Sequence, residues 1–319
     1  MEVLKFMKYP EIGDSVTTTF KEDMSRVWGD WGVSSEIGKL RAVLVRRGGS
    51  ELENKNHNPK KYRWNCAFDP VKVREQQESL YEIYRNNEVD IHFIEETSPE
   101  LPNAIFVRDQ VLMTPEGAIV CREAVQSRVG EEKWAAKQLM KLGVPIIHTV
   151  CGKGIFEGAC VIWIDKETVF LGEGYRCNTA GSIQVENTLR AIGVKNVIKV
   201  NIPRGQAHLD GFMAIADMNV ALTYRIITPN IVYEELLKRD FNIIEIPNHE
   251  EWQHFATNFV ALEPGKVVGP SGNPKTRKLL EDAGVEYIAL DLDEILKGNG
   301  AVHCMTAFLK RDEIPLYRI

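Results

Sequence analysis

The chain lacks any apolar run approaching the roughly 20 residues that a membrane-spanning helix requires. Its first residues, MEVLKFMKYPEIGD, turn polar and acidic before the apolar core of a secretory leader develops. Positive charge is not in excess: 39 Lys and Arg stand against 45 Asp and Glu, a net charge of −6. That excludes the broad basic field that nucleic acid or an anionic membrane surface would select. Cysteine is scarce, with six in 319 residues, and no two form a CxxC. A chain this long buries a core without covalent staples, so no disulfide framework is expected. Cys66, Cys121, Cys151, Cys160, Cys177 and Cys304 therefore read as small buried apolar residues unless chemistry singles one out. No Ser/Gly/Pro-rich linker interrupts the sequence, so one domain over residues 1–319 is expected. The bounds describe a cytoplasmic globular protein with neither nucleic-acid nor membrane partners.

What the chain does have is an internal repeat. Residues 104–121 read as a strand, a turn at Pro115-Glu116-Gly117 and a second strand. An amphipathic helix follows, stopped by Gly143, and then a short β-branched strand, PIIHTV. The same order returns in GACVIWIDKETVFLGEG with its helix and strand, in HLDGFMAIADMNVALTYRII, and in FATNFVALEPGKVVG. A fifth copy is split: the strand AVHCMTAFL (301–309) is expected to pair with KLRAVLVRR near the start of the chain. Copies recurring about every 50 residues predict an α/β fold of five pseudo-symmetric units, an α/β propeller closed by its terminal strands.

In such an arrangement the first strand of every hairpin points one end toward a common axis. Side chains at those ends converge although they are distant in sequence. The positions hold Arg108 and Asp109, Glu157, His208 and Asp210, Asn258, and His303 and Cys304. Carboxylates beside apolar strands are costly unless paired or functional. Each taken singly fits a satisfied polar group, and their shared repeat phase favours a site. A cysteine thiolate is a strong nucleophile, and a histidine transfers a proton to a leaving amine. Glu157 suits the orientation of that histidine. Asp109 and Asp210 suit a planar cation with several N–H donors, the guanidinium group.

At these residues the sequence resembles the guanidine-modifying enzymes: arginine deiminases, dimethylarginine hydrolases and amidinotransferases. The matching segments are LPNAIFVRD (101–109), FEGA (156–159), GYRCN (174–178), HLD (208–210) and GNGAVHCMT (298–306), in the family's order, with SEIGKLRAVLVRRGGSEL near the start. The resemblance implies a five-unit α/β propeller (the pentein fold) that needs no cofactor and no metal. It implies that Cys304 forms a covalent amidino-thioether and that His208 protonates the departing nitrogen and then activates water. Glu157 would orient His208, while Asp109 and Asp210 would hold the guanidinium. Arg176 and Arg128 match arginines that bind the substrate's α-carboxylate, and Asn103 a nearby polar contact. Cys160 stands where the family often has Asp, so an effect on substrate choice is expected.

Asp109 stands where arginine dihydrolases carry Asn, and Asp210 where dimethylarginine hydrolases commonly carry another residue. Both choices favour an unmethylated guanidino acid. The expected activity is C–N hydrolysis of arginine or a close relative, giving a citrulline-type product and ammonia. Transfer of the amidino group to an amine is the second reading, and a non-catalytic binding propeller a distant third. The expected partner is a small guanidino substrate; soluble enzymes commonly form symmetric dimers, so a homodimer is the assembly to test. Other motifs are set aside. His249 and His254 are i, i+5, off the i, i+4 spacing of a zinc-protease helix, and GEGYRC lacks the GxGxxG glycines. Asn65 reads as a turn residue before a substrate contact.

Overall fold

The computed structural model describes residues 16–53 and 58–317; the polar stretch at 1–14 lies outside them. In chain order, helix α1 (Phe20–Val27) precedes strand β1 (Leu40–Val45), helix α2 (Pro70–Asn86) and strand β2 (Asp90–Phe93). Four copies of one pattern follow. The first holds β3 (Val111–Thr114), β4 (Gly117–Val120), α3 (Glu131–Leu142) and β5 (Ile146–Thr149). The second holds β6 (Val161–Asp165), β7 (Thr168–Glu173), α4 (Thr179–Ala191) and β8 (Asn196–Asn201). The third holds β9 (Met213–Asp217), β10 (Val220–Thr223), α5 (Asn230–Leu237) and β11 (Asn242–Glu245). Helix α6 (His249–Gln253) leads into the fourth, with β12 (Val260–Glu263), β13 (Lys266–Pro270), α7 (Pro274–Asp282) and β14 (Glu286–Leu290). Helices α8 (Asp293–Leu296) and α9 (Val302–Met305) precede the last strand, β15 (Ala307–Arg311).

The result is a mixed α/β fold with five three-stranded sheets, all wired alike. In each, the hairpin is antiparallel and its second strand pairs in parallel with the strand that returns after the helix. The fifth sheet joins the two ends of the chain: β1 pairs antiparallel with β15 and parallel with β2. A parallel return needs a crossover, and the intervening helices supply it. The hairpin strands read as continuous buried runs, such as the VIWID of β6 and the MAIA of β9, as expected where both faces are covered. Helices begin and end where the residues dictate: Asp69 and Asn178 accept N-terminal amides of α2 and α4, and Gly143 closes α3 at φ 76°. No helix of the described residues is long and apolar enough to cross a membrane.

The structure corrects two boundaries. Residues 104–109, expected to open the strand, fall in two 3₁₀ turns (Pro102–Ile105 and Val107–Asp109), and the strand starts at Val111. Cys304, expected on a strand, sits in the short helix α9, and β15 begins three residues later. Both segments carry polar side chains that must turn toward partners off the sheet, and a tight turn aims them where a strand would alternate them.

Candidate active site

Each unit delivers its polar residue from the turn just ahead of its first strand. Asp109 precedes β3, Glu157 precedes β6, His208 and Asp210 precede β9, Asn258 precedes β12, and Cys304 precedes β15. Close backbone packing makes these turns tight: a Cβ on Gly158, next to Glu157, would lie 2.4 Å from the carbonyl oxygen of Arg108. The turns surround a cavity of about 840 Å³, lined by Asn103, Asp109, Arg128, Arg176, His208, Asp210, Asn258 and Cys304 together with Tyr175, Trp252 and Lys297. Glu157 lies behind His208 and is fully buried.

His208 Nε2 donates to Glu157 Oε2 at 2.6 Å, and Asp109 Oδ1 lies 3.6 Å from the same nitrogen. Burial works against a charged imidazole. The Asp109 charge and the Glu157 hydrogen bond outweigh it and raise His208 to about 9. Glu157 feels burial in the opposite sense, and its bonds to His208 and Arg176 hold it well below the ordinary carboxylate range. Arg176 Nη1 reaches both Glu157 oxygens, at 2.8 and 2.9 Å, and the amide of Ala124 donates to Oε1 at 2.9 Å. Glu157 is therefore fixed from three directions.

Cys304 Sγ accepts from Asn258 Nδ2 at 3.1 Å, and its amide donates to Asn258 Oδ1 at 3.3 Å. Asp210 Oδ2 lies 3.8 Å from the sulfur and also accepts from Asn258 Nδ2 at 3.0 Å. Burial, then the charges of Asp210 and Asp109, push the thiol well above its ordinary value. A cation placed between those carboxylates would remove that electrostatic obstacle.

Asp109 is held by Arg128 Nη1 at 2.5 Å, and its buried Oδ1 has no hydrogen-bond partner. An unpaired buried carboxylate oxygen in a residue that lines the cavity is a vacant acceptor for N–H groups. Arg128, expected to bind a substrate carboxylate, lines the cavity with its guanidinium already bonded within the protein. Its Nε and Nη2 donate to Glu131 and its Nη2 also to the Phe106 carbonyl, while Glu123 lies 3.2 Å away. Burial holds Glu131 up at about 7 and pushes Glu123 up as well, because one guanidinium serves three carboxylates. Arg176 lines the cavity with an unpartnered Nε beyond its Glu157 contact. Asn103 is spent on Trp64 and the Tyr62 carbonyl, at 2.6 and 2.9 Å. Asn65 pairs with Asn299 at the cavity wall, a structural bond in keeping with a turn role.

Cys160 does not line the cavity; it is buried and meets Cys177, so packing accounts for it. His249 bonds the Tyr224 hydroxyl and packs on Trp252, while His254 faces the cavity. The two histidines do not form a metal pair. Asp109, Glu157 and His208 do bring ligand atoms within 4.8 Å of one another, but the arginines bonded to both carboxylates already neutralise them. Two residues outside the assigned set share the site. Asn258 contacts the sulfur directly. His303 stands beside Asp210, with Glu36 behind it; its place next to Cys304 in HCM carried that signal, whereas Glu36 lay in the matching segment SEIGKL with no role attached.

The family model described as N,N dimethylarginine dimethylhydrolase, eukaryotic, matches residues 50–311. The N(G),N(G)-dimethylarginine dimethylaminohydrolase of Pseudomonas aeruginosa is 26% identical over 238 residues, covering 75% of this chain and 89% of that protein. The arginine deiminase of Borrelia recurrentis is 25% identical over 255 residues, covering 67% and 62%. Among solved structures, the Pseudomonas aeruginosa dimethylarginine dimethylaminohydrolase complexed with citrulline superposes with a TM-score of 0.70 at 24% identity, over 85% of this chain and 99% of that one. The amidinotransferase SxtG of Microseira wollei gives a TM-score of 0.73 at 16% identity, over 90% and 99%. Likeness at such identities establishes the fold.

Proposed function

The chain belongs to the dimethylarginine dimethylhydrolase family, and from that premise we propose that it hydrolyses a C–N bond of a guanidino acid through a covalent bond to Cys304. The observation that carries the reading is the vacant buried Oδ1 of Asp109 near His208, with Asp210 beside Cys304 on the other side. Two carboxylates flanking a thiol make a seat for a guanidinium. The bound cation offsets the charges that keep Cys304 protonated, so ionisation and substrate binding are coupled. The thiolate attacks the central guanidinium carbon, forming a C–S bond. His208, charged at neutral pH, gives its proton to the departing nitrogen, and a C–N bond breaks. The now neutral imidazole takes a proton from water, whose oxygen attacks the amidino-thioether. The C–S bond breaks, leaving a ureido product and the free thiol. Glu157 keeps His208 oriented and basic throughout.

Arg176 is the carboxylate contact in this reading, and Arg128 acts by holding Asp109. The five like-wired sheets and the β1–β15 pairing support a closed, pseudo-symmetric propeller formed by one domain. Although the relatives include enzymes of methylated arginine, we place an unmethylated guanidino acid first, since two carboxylates ask for free N–H groups. Amidino transfer is the second reading, favoured by the superposition on SxtG and by a cavity with room beside a guanidino acid.

One assay tests these choices. Purified protein is incubated with arginine, methylated arginines, agmatine or guanidinoacetate, with and without glycine, and the products are read by mass spectrometry. Ureido product without added amine is expected, and arginine should be turned over faster than its dimethylated forms. Product formed only with the amine would identify a transferase. Cys304→Ala should abolish turnover; retained turnover would refute covalent catalysis. If agmatine, which lacks a carboxylate, reacts as well as arginine, the role of Arg176 fails.

A further inference from the structure

Behind Cys304 runs a buried chain of four groups, Asp210, His303, Glu36 and Arg108, of which the reading above uses only Asp210. His303 Nδ1 meets Asp210 Oδ2 at 2.8 Å, and its Nε2 lies 3.4 Å from Glu36 Oε2. Glu36 Oε1 accepts from Arg108 Nη2 at 3.1 Å and from the amide of Trp163 at 3.3 Å. Arg108 also donates to the Val161 carbonyl. All four side chains are buried, and the ring of Phe308 closes the packing edge-on to His303 and beneath Arg108. Both ring nitrogens of His303 face carboxylate oxygens, which accept and do not donate, so both contacts are satisfied as hydrogen bonds only when the ring carries two protons.

We infer that His303 is a positioning residue, held as an imidazolium between Asp210 and Glu36, and that its charge sets the pH range in which Cys304 works as a thiolate. The inference rests on Cys304 being the nucleophile, and it assigns a role to the residue next to it. An uncompensated Asp210 carboxylate 3.8 Å from the sulfur opposes thiolate formation. The imidazolium on its far side cancels much of that effect while leaving the carboxylate ionised and aimed at the substrate. The titratable groups around the ring pull in both directions. Asp210 and Glu36 favour the charged ring. Arg108 disfavours it but is tied to Glu36, with Arg311 acting on Glu36 from further away. His208 lies across Asp210, 4.0 Å from its Oδ1. Burial pushes Glu36 up, yet Arg108 and His303 hold it at about 2, so it stays an anion through the working range. Burial and Arg108 both oppose a charged His303, and the bonds to Asp210 and Glu36 override them.

Two measurements test this. The first is the ¹⁵N NMR titration of the His303 ring in the unmodified protein, assigned through its bonded neighbours. Both nitrogens should remain protonated from pH 6 to beyond 8, and a neutral tautomer at pH 7 overturns the inference whatever the enzyme's activity. The second compares His303→Gln and His303→Asn with the parent by the pH dependence of kcat/KM. It also follows alkylation of Cys304 by iodoacetamide, read peptide by peptide because Cys66 and Cys151 are exposed. Asparagine keeps a donor toward Asp210 without the charge. In both variants the limb that rises with thiolate formation should move to higher pH by about one unit, roughly tenfold in rate on that limb. A limb that stays in place while kcat falls evenly at all pH values, or a limb restored by asparagine, refutes the role of charge. If Cys304 alkylation shifts as expected while no guanidine is turned over, the proposed function fails and this inference stands.

Discussion

Two imidazole–carboxylate pairs flank Cys304, built from the same groups and set to different work. His208 and Glu157 are 2.6 Å apart, and His303 and Asp210 2.8 Å. Depth does not separate them, since His208 is 7% exposed and His303 5%. The second partner does. The second nitrogen of His208, Nδ1, lies 4.0 Å from Asp210 Oδ1, beyond hydrogen-bond reach, in a residue that lines the cavity; the second nitrogen of His303 meets another carboxylate, Glu36. A pair open on one side can pass a proton to a visitor, whereas a pair closed on both sides holds its proton and acts through its field. Buried histidines are better read by what stands on their second nitrogen than by how buried they are.

Replacing the two rings should show the contrast at its largest. His208→Gln should lower kcat by roughly 10²- to 10⁴-fold, the range for loss of a general acid, against about tenfold at neutral pH for His303→Gln. Equal losses would break the comparison. The next effect is on stability and concerns the support on the open side. Arg128→Ala leaves Asp109, Glu123 and Glu131 without their cation and should cost about 3–5 kcal/mol in chemical denaturation. Glu131, held at about 7 above its ordinary 4.5, already makes the fold lose stability as pH rises across that window. The variant should steepen that slope, and a flat profile would remove the carboxylate cluster from the account.

Glu157→Gln should lower kcat on the order of 100-fold with little change in KM. It should also move the alkaline limb, set by loss of the His208 proton near 9, toward lower pH; Glu36→Gln should leave that limb in place. A change confined to KM would make Glu157 a binding residue. The same raised value has a stability sign. His208 contributes most below its ordinary 6.5, and that contribution is lost as pH rises through about 9. The smallest effect belongs to Cys160→Ala, about 1 kcal/mol of stability or less with the substrate ranking unchanged. A changed ranking would return Cys160 to the site.

The sequence carried the repeat plainly, since alternating hairpin, helix and strand are local patterns and each unit rewrites them. It also carried Cys304, His208, Glu157, Asp109 and Asp210, because a shared repeat phase places them together. Their partners were not legible. Whether Arg128 faces a ligand or three carboxylates depends on how the segment holding Glu123 and Glu131 folds back over Asp109, and no spacing rule fixes that. Glu36 lies ahead of β1 in a stretch without periodicity, so its pairing with His303, far along the chain, appears only in three dimensions. The turns at 102–109 and 302–305 escaped because apolar residues around Asp109 and Cys304 read as strand, while their polar neighbours enforce turns.

The pairing of β1 with β15 bears on assembly as well as shape. The sheet that presents Cys304 joins segments nearly the whole described chain apart, so it closes the longest loop in the molecule and carries the largest share of closure entropy. The other four sheets form from neighbours. A chain with those sheets built and this one open would hold His208, Glu157 and both aspartates and still lack Cys304 beside them. Reactivity toward guanidines would then report on closure of that one sheet, since a chain open there holds Cys304 apart from the other four residues.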